Sequence, residues 1–392
     1  MMAAKAYGLK TVFTEHSLFG YNDLTGIHLN KIIKWSFRDL DAAICVSHAC
    51  KDNFVLRAKV APQKAFTIPN AVDSNRFTPD PSIRENELAQ SGNPDQINIV
   101  FISRLQYRKG FDLLIRIIPK ILAQFENVNF IIGGDGSGMV HLEELVERHN
   151  LHGRVELLGG LPHDKVRDVL CRGHIFLNTS LTESFCIAIL EAACCGLLVV
   201  TTDVGGVPEV LPPHMAYLAK PDEKSILRQL RKAVVNVKNI PVETFYSEVA
   251  SIYSWRQVAE RTERVYDYVM EKPVPNIMSR IKSSVSWGPL VGVWGIFYTI
   301  IETLCLWLVE LMLPECDIDV VRSFSTSAYN VCPSEYGNHQ VRVDAYDRAD
   351  VKNSKIIDID YETNKGKLHA FDHQNRYSTV RPTMEQVEER ED

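Results

Sequence analysis

The sequence has no excess of basic residues and no metal-binding pattern of cysteines. Lys and Arg number 43 against 49 Asp and Glu, and residues 314–392, with 16 acids and 10 bases, account for the whole imbalance. A chain without a basic surface lacks the usual electrostatic footprint of a nucleic-acid-binding protein. The nine cysteines include no CxxC pair. This argues against a zinc site or a disulfide framework and favours reduced thiols.

The N-terminus also lacks the apolar run of a secretory signal, because Met1 to Lys5 is followed by no such segment. Nothing here predicts export of the bulk of the chain. The 392 residues are 45% hydrophobic and 23% charged, which is typical of a folded protein of two or three domains.

Short β-rich runs alternate with longer helical patterns from the start of the chain, beginning with strands at 11–15 and 42–46. A stretch rich in Pro, Asn, Ser and Asp, from Val72 to Gln96, is typical of a linker and sets a boundary near residue 95. Beyond it, buried apolar runs joined by helices predict a parallel, doubly wound sheet. Its strands are predicted at 97–103, 128–132, 155–158, 175–178 and 198–201.

The predicted organisation has five parts. They are a partial N-terminal Rossmann-like domain with linker (1–95), a C-terminal nucleotide-sugar-binding domain of the same kind (96–253), a crossover helix (254–271), a transmembrane segment (287–313) and an acidic, largely disordered tail (314–392).

The segment 287–313 is long enough to span a bilayer, which takes about 20 apolar residues. Glu302 near its middle weakens this interpretation unless it is protonated or paired with a partner helix. A helix lying on the membrane, with Glu302 and Glu310 in one polar stripe, is the alternative. Arg280 and Lys282 precede the segment and acids follow it, which predicts a cytosolic N-terminal part and a lumenal tail.

Two of the cations that follow the strand predicted at 97–103 are candidates for a phosphate site. Arg104 offers a fork for bidentate contact and Lys109 a mobile point charge, a combination that suits a diphosphate at a strand–loop–helix junction. Solvated loop charges are the alternative. After the next strand, a Gly-rich turn that includes Gly134 permits close approach of a ligand, although a tight turn without a ligand explains it as well.

A third loop precedes a helix that begins near Ser184. Glu183 can accept hydrogen bonds from hydroxyl groups, while Ser184, Phe185 and Cys186 present backbone amides to a negative group. Glu191 lies about 9 Å further along, a separation that suits an extended sugar-nucleotide. A solvated helix acid is the alternative for Glu191, but its apolar neighbours argue that it needs a partner.

A fourth segment, from Gly205 to Glu209, follows the strand predicted at 198–201, and a plain turn explains it equally well. Glycines, cations and acids thus follow four of the five predicted strands at one edge of the sheet.

These segments, in this order and spacing, resemble the retaining glycosyltransferases of family 4. The similarity covers residues 1 to about 270 and rests on 103–110, 133–136, 183–192 and 205–209. It implies an α/β fold of GT-B type, with two Rossmann-like domains of which the N-terminal one is incomplete. The transmembrane helix and the tail complete the predicted architecture.

Four further segments look like the family of catalytic subunits of phosphatidylinositol N-acetylglucosaminyltransferase: 14–20, 211–218, 287–295 and 313–321. That resemblance implies transfer of N-acetylglucosamine from UDP-GlcNAc to phosphatidylinositol, the first step of GPI anchor synthesis. It also implies a single-pass member of a multisubunit membrane complex in the endoplasmic reticulum, with no metal or other cofactor and no nucleic-acid partner.

The resemblance implies a role for each candidate residue. Arg104 and Lys109 clamp the diphosphate, and Glu191 holds the ribose. Glu183 binds hydroxyls of the transferred sugar, and His16 reaches that sugar across the cleft. Gly134 and the amides at 184–186 complete the donor site.

The chain departs from the family before its linker, since only about 95 residues precede it and a Gly-rich loop is absent. This predicts a truncated or alternatively spliced form with a poorly stable N-terminal part unless something covers it. Two alternatives follow: a noncatalytic member of the same complex, or a family 4 transferase with another acceptor.

Overall fold

A sheet of three parallel strands forms the N-terminal part of the chain. β1 (Val12–Glu15) pairs with β2 (Ala42–Cys45), which pairs with β3 (Ala65–Thr67). The helices α1 (Leu24–Ser36) and α2 (His48–Ala58) connect them in turn. Each connection is a strand–helix–strand crossover, as parallel pairing requires, and the predicted βα alternation is confirmed.

The structure, a computed structural model, describes residues 4–5, 7–18, 24–37, 39–285 and 289–312. The predicted disordered tail, 314–392, lies outside the described residues. All seven cysteines in the described part are free thiols.

The second sheet has six parallel strands in the order β6-β5-β4-β7-β8-β9. The strands are β4 (Ile97–Ile102), β5 (Val128–Gly133), β6 (Val155–Gly159), β7 (Ile175–Asn178), β8 (Leu198–Thr202) and β9 (Ala216–Ala219). The chain builds outward from β4 in one direction and then returns to build outward from β7 in the other. The doubly wound sheet is therefore confirmed, and its switch point lies between β4 and β7.

Helices cover both faces of this sheet, and therefore β4 and β8 are buried along nearly their whole length. The helices are α3 (Pro81–Ser91), α4 (Phe111–Leu122), α5 (Met139–His149), α6 (Val166–Cys171), α7 (Ile187–Cys194), α8 (Glu223–Asn236) and α9 (Phe245–Ile252). In α4, Leu114, Ile117, Ile118 and Ile121 follow the helical period and are all fully buried.

One hydrophobic cluster joins the two sheets. It runs from Phe54 on α2 through Val100 and Phe176 to Phe185, all at most 2% exposed. The chain returns through α10 (Trp255–Met270), whose Val265 and Val269 pack against Ala42 and Ile44 of β2 and against Ile68. The boundary predicted near residue 95 is therefore not a break in the core.

The stretch from Val72 to Gln96 is not only a linker, since it contains α3. Asp80 caps this helix by accepting a hydrogen bond from the Ser82 amide at 3.2 Å, Pro81 is its first residue, and Gly92 ends it with φ +67°. Asp before Pro and a terminal Gly are helix boundary signals as well as loop residues. The composition alone did not reveal this helix.

A helical pair follows α10. It comprises α11 (Ile277–Val285) and α12 (Pro289–Met312). Residues Gly292–Met312 of α12 are long and apolar enough to cross a membrane, with a mean hydropathy of 1.7. Large apolar side chains such as Trp294, Phe297 and Trp307 are exposed.

Small and polar residues of α12 face α11 instead. Gly292 lies close to the backbone of α11, since a Cβ there would come within 2.8 Å of the Ser284 carbonyl oxygen. Glu302 accepts a hydrogen bond of 2.7 Å from Arg280, which also lies 3.8 Å from Asp39. These three side chains are 5 to 9% exposed. The partner of Glu302 is thus a residue of this chain's own neighbouring helix.

We expect Glu302→Ala to destabilise the chain by about 3 kcal/mol, because it leaves the buried Arg280 with a single distant carboxylate. Thermal unfolding of the purified full chain in detergent measures this. The control is Glu310→Ala, since Glu310 lies on the same helix and is exposed. Equal melting temperatures for the two variants would contradict the structural role of the pair.

Candidate functional site

The candidate site lies where β4 and β7 end at the same edge of the six-stranded sheet. Their crossovers leave in opposite directions, so the loops after them border a crevice. The loop after β4 carries Arg104 and Lys109, and the loop after β7 carries Glu183. The topology therefore brings together groups that lie more than 70 residues apart in the chain.

Backbone contacts join these two loops. The Thr179 hydroxyl lies 3.0 Å from the carbonyl oxygens of both Lys109 and Gly110, and the Leu181 amide donates to the Arg108 carbonyl at 2.9 Å. Gly110 has φ +68°, and a Cβ there would lie 1.7 Å from the Thr179 carbonyl oxygen. Only glycine fits this approach, and it fixes the backbone on which Lys109 stands.

Lys109 and Glu183 form an ion pair across the crevice. The ammonium contacts Oε1 of Glu183, and the Ser180 hydroxyl donates to the same oxygen at 2.9 Å. The Ser180 hydroxyl also lies 2.8 Å from Oδ1 of Asn178 at the end of β7. The Lys109 and Glu183 side chains are 24% and 13% exposed, so both charges stay within reach of a ligand.

Arg104 is exposed and has no ion-pair partner in the described part of the chain. The Gly-rich turn after β5 supports its loop: the Leu105 amide donates to the Asp135 carbonyl at 2.9 Å. Gly134 has φ +134°, and a Cβ there would lie 1.9 Å from the Ser103 carbonyl oxygen. The glycine is needed for this packing, and its contact with a donor stays a prediction.

Three backbone amides precede α7. No described residue accepts a hydrogen bond from the amides of Ser184, Phe185 or Cys186. The Phe185 side chain is 2% exposed, and its ring lies 6.0 Å from that of Tyr253. Phe185 therefore offers only its backbone to a ligand. Amides at the start of a helix favour an anion.

Glu191 lies on α7, two turns beyond this amide group, and is half-buried. Burial raises the pKa of its carboxyl above the ordinary value of 4.5, and Arg76 opposes the rise. Among the described residues, none donates a hydrogen bond to its side chain. A half-buried acid without a partner is costly, and such costs are typical of binding sites.

His16 follows β1 and is exposed. The Ser184 hydroxyl donates to the His16 carbonyl oxygen, so the loop of the first sheet lies beside the loop that carries Glu183. On its other side, the Cys50 thiol donates to the Glu15 carbonyl at 3.4 Å. The structure thus places His16 next to Ser184 and therefore near Glu183, the residue before it. The sequence did not lead to a prediction for Ser180, although a hydroxyl three residues before an acid can donate a hydrogen bond to that acid.

Two cavities in the described part of the chain lie away from this site. The larger, about 690 Å³, lies beside the start of β4 and is lined by Ile97, Asn127 and Lys238. The smaller, about 90 Å³, borders Asn98 and Arg154. Neither includes a predicted site residue. Within the described ranges, no group of three or more His, Cys, Asp and Glu is arranged to hold a metal ion.

Comparison with known proteins identifies the family. Residues 83–238 match the model for glycosyl transferases group 1, and residues 1–76 match glycosyltransferase family 4. The chain is 47% identical over 319 residues to a phosphatidylinositol N-acetylglucosaminyltransferase subunit of Arabidopsis thaliana, a match that covers 81% of this chain and 70% of the relative. The chain belongs to this family of phosphatidylinositol N-acetylglucosaminyltransferase subunits.

A second member of the transferase family, the gpi3 subunit of Schizosaccharomyces pombe, is 41% identical over 360 residues, which cover 91% of this chain and 77% of that one. Among solved structures, the Anabaena protein Alr3699/HepE in complex with UDP matches with a TM-score of 0.59 and 20% identity. The match covers 68% of this chain and 77% of that one. This similarity confirms the GT-B fold.

We expect Cys186→Gly to stabilise this member of the transferase family. Cys186 has φ +74°, where a side chain costs about 1 kcal/mol that glycine avoids. Burial raises the pKa of its thiol to about 12, so no thiolate chemistry is lost. Chemical denaturation of the full chain measures the gain. Ala188→Gly within α7 is the control and should lose about 1 kcal/mol; a loss in both would refute strain at residue 186.

We also expect Glu191→Gln to raise the melting temperature at pH 7 by about 2 °C. Because the pKa of Glu191 is raised in the folded state, protonation of this carboxyl stabilises the fold. The contribution is complete below the pKa of the unfolded state and is lost as pH rises through the pKa of the folded state. The gain from Gln should therefore vanish near pH 4. Melting curves of both proteins across this range test it, and a gain independent of pH would contradict the assignment.

Proposed function

We propose that the chain transfers N-acetylglucosamine from UDP-GlcNAc to phosphatidylinositol, the first step of GPI anchor synthesis. The observation that carries this proposal is the switch-point crevice. In a chain of this transferase family, it joins the Lys109–Glu183 pair, the exposed Arg104 and three amides without acceptors among the described residues. Such a site suits a nucleotide diphosphate joined to a sugar.

Each group has a role in the proposed donor complex. Arg104 and Lys109 bind the diphosphate, and Lys109 then exchanges part of its contact with Glu183 for phosphate oxygens. The amides at 184–186, with Gly134, border the sugar and phosphate. Glu183 accepts hydrogen bonds from sugar hydroxyls. Glu191 accepts them from the ribose, which would give this half-buried carboxylate the partners it lacks.

The proposed chemistry needs no nucleophile from the protein. The bond between C1 of the sugar and the β-phosphate oxygen breaks, and a bond from C1 to an inositol oxygen forms on the same face. The inositol hydroxyl gives its proton to the departing phosphate oxygen. Arg104, Lys109 and the amides stabilise the charge that develops on UDP. His16 reaches the sugar from the first sheet.

The proposed location is the endoplasmic reticulum membrane, with α12 as a single span, residues 1–280 in the cytosol and the tail in the lumen. The apolar length of α12 supports a span, and Arg280 and Lys282 before it support the orientation. Further membrane subunits of a GPI-GlcNAc transferase complex are the proposed protein partners.

The test is transfer from UDP-GlcNAc to phosphatidylinositol by microsomes from cells that express this chain in place of the endogenous catalytic subunit. We expect transfer, and a loss of donor affinity of at least about tenfold in Arg104→Ala and in Glu191→Ala. Glu126→Ala is the matched control, because Glu126 is an exposed acid far from the crevice, beside the larger cavity.

Unchanged donor affinity in both site variants would overturn the residue assignments. No transfer by the unaltered chain, with partner subunits still co-purifying, would overturn the enzymatic proposal and indicate a noncatalytic role in the complex. Transfer to a different lipid would indicate another acceptor.

A further inference from the structure

The turn from Gly205 to Glu209, to which the proposed function gives no role, makes close contacts with the first sheet. A Cβ on Gly205 would lie 2.0 Å from the Glu183 carbonyl oxygen and 2.4 Å from the Leu18 side chain. A Cβ on Gly206 would lie 2.1 Å from the Ser184 carbonyl oxygen and 2.4 Å from the Ser47 hydroxyl. Both glycines therefore allow the two halves of the chain to meet beside the candidate site.

Glu209 extends this contact to α2. Its carboxylate accepts hydrogen bonds from the amides of His48 at 2.6 Å and Ala49 at 2.9 Å, the first two residues of that helix. The Ser47 hydroxyl, the N-cap of the helix, accepts from the Cys50 amide at 3.0 Å. An acid from the second sheet thus completes the N-terminal cap of a helix from the first.

The same helix end leads directly to the candidate site. The Ser47 hydroxyl donates to the Ser184 carbonyl at 2.6 Å, and the Ser184 hydroxyl donates to the His16 carbonyl. From inside α2, the Cys50 thiol donates to the Glu15 carbonyl, one residue before His16. Any shift of α2 would therefore move His16 relative to Glu183.

We propose that Glu209 is a positioning residue. Together with Gly205 and Gly206 it forms a contact, the latch, that holds α2 against the second sheet and so places His16 opposite Glu183. This inference rests on the proposed function, because it assigns His16 to the sugar side of the donor. The side-chain hydrogen bonds of Glu209 go to α2, and it makes no hydrogen bond or ion pair with the described loop after β4 or with Glu191. The latch therefore acts on the geometry of transfer and leaves donor binding intact.

The kinetic test uses the full chain with its co-purifying subunits. We expect Glu209→Ala to lower kcat about tenfold, since small displacements of reacting groups reduce rates strongly. The KM for UDP-GlcNAc should stay within about twofold of the unaltered value. In the unaltered chain each amide donates to a different oxygen of Glu209. Glu209→Gln keeps one accepting oxygen, enough for one of the two amides, and should recover part of kcat. Glu126→Ala should change nothing.

A second test reads the contact itself and does not need activity. Hydrogen–deuterium exchange of the purified full chain should accelerate at the amides of His48 and Ala49 in Glu209→Ala. In Glu209→Gln, exchange should slow again at one of these two amides, since Gln has a single accepting oxygen. If the chain shows this exchange pattern but no transfer activity, the proposed function is refuted, whereas the contact between Glu209 and α2 is supported.

Three results would overturn the latch. They are an unchanged kcat in Glu209→Ala, a rise in donor KM that accounts for the whole loss, and unchanged exchange at both amides. A loss of kcat that Glu209→Gln does not recover at all would also count against it.

Discussion

Crossover helices leave β4 and β7 on opposite sides of the sheet, which keeps the carboxyl ends of these two neighbouring strands uncovered. The remaining features of the site depend on this reversal. It places the loop that bears Arg104 and Lys109 against the loop that bears Glu183, and the Thr179 hydroxyl and Gly110 hold the two together. The sheet itself is stable because helices bury it on both faces.

The site holds charge in a partly buried crevice by pairing some groups and leaving others without a partner. Lys109 and Glu183 neutralise each other, and the Ser180 hydroxyl donates a hydrogen bond to Glu183. Glu191 stays half-buried with a raised pKa, and the amides before α7 have no described acceptor. The unpaired groups cost stability in the free protein, and a charged, hydroxyl-rich ligand would satisfy them. This is the usual relation between binding sites and stability.

The second sheet was predictable because its strands are continuous apolar runs. The predicted 175–178 coincides with β7, and the other four predicted strands differ from the structure by one residue at one end. β3 and β9 were missed because these strands have only three and four residues, too few to show a hydrophobic period. α3 was missed because Asp80 and Pro81 mark a helix start as readily as a loop.

Contacts between the first sheet and the second sheet could not be predicted from the sequence. Glu209 and His48 lie 161 residues apart, and no local pattern pairs them. For Glu302, the sequence predicted a partner on another helix. Nothing in the spacing identified that partner as Arg280. Sequence patterns thus located the groups of the candidate site one loop at a time, whereas the packing of the two sheets determined how they meet.

The most direct measurement of the central claim is an experimental structure of the full chain in its complex with UDP bound. We predict the diphosphate between Arg104, Lys109 and the amides at 184–186, and the ribose at Glu191. The ammonium of Lys109 should have turned at least partly from Glu183 to phosphate. UDP bound away from the β4–β7 crevice, or within it with Arg104 and Glu191 making no contact, would contradict the account.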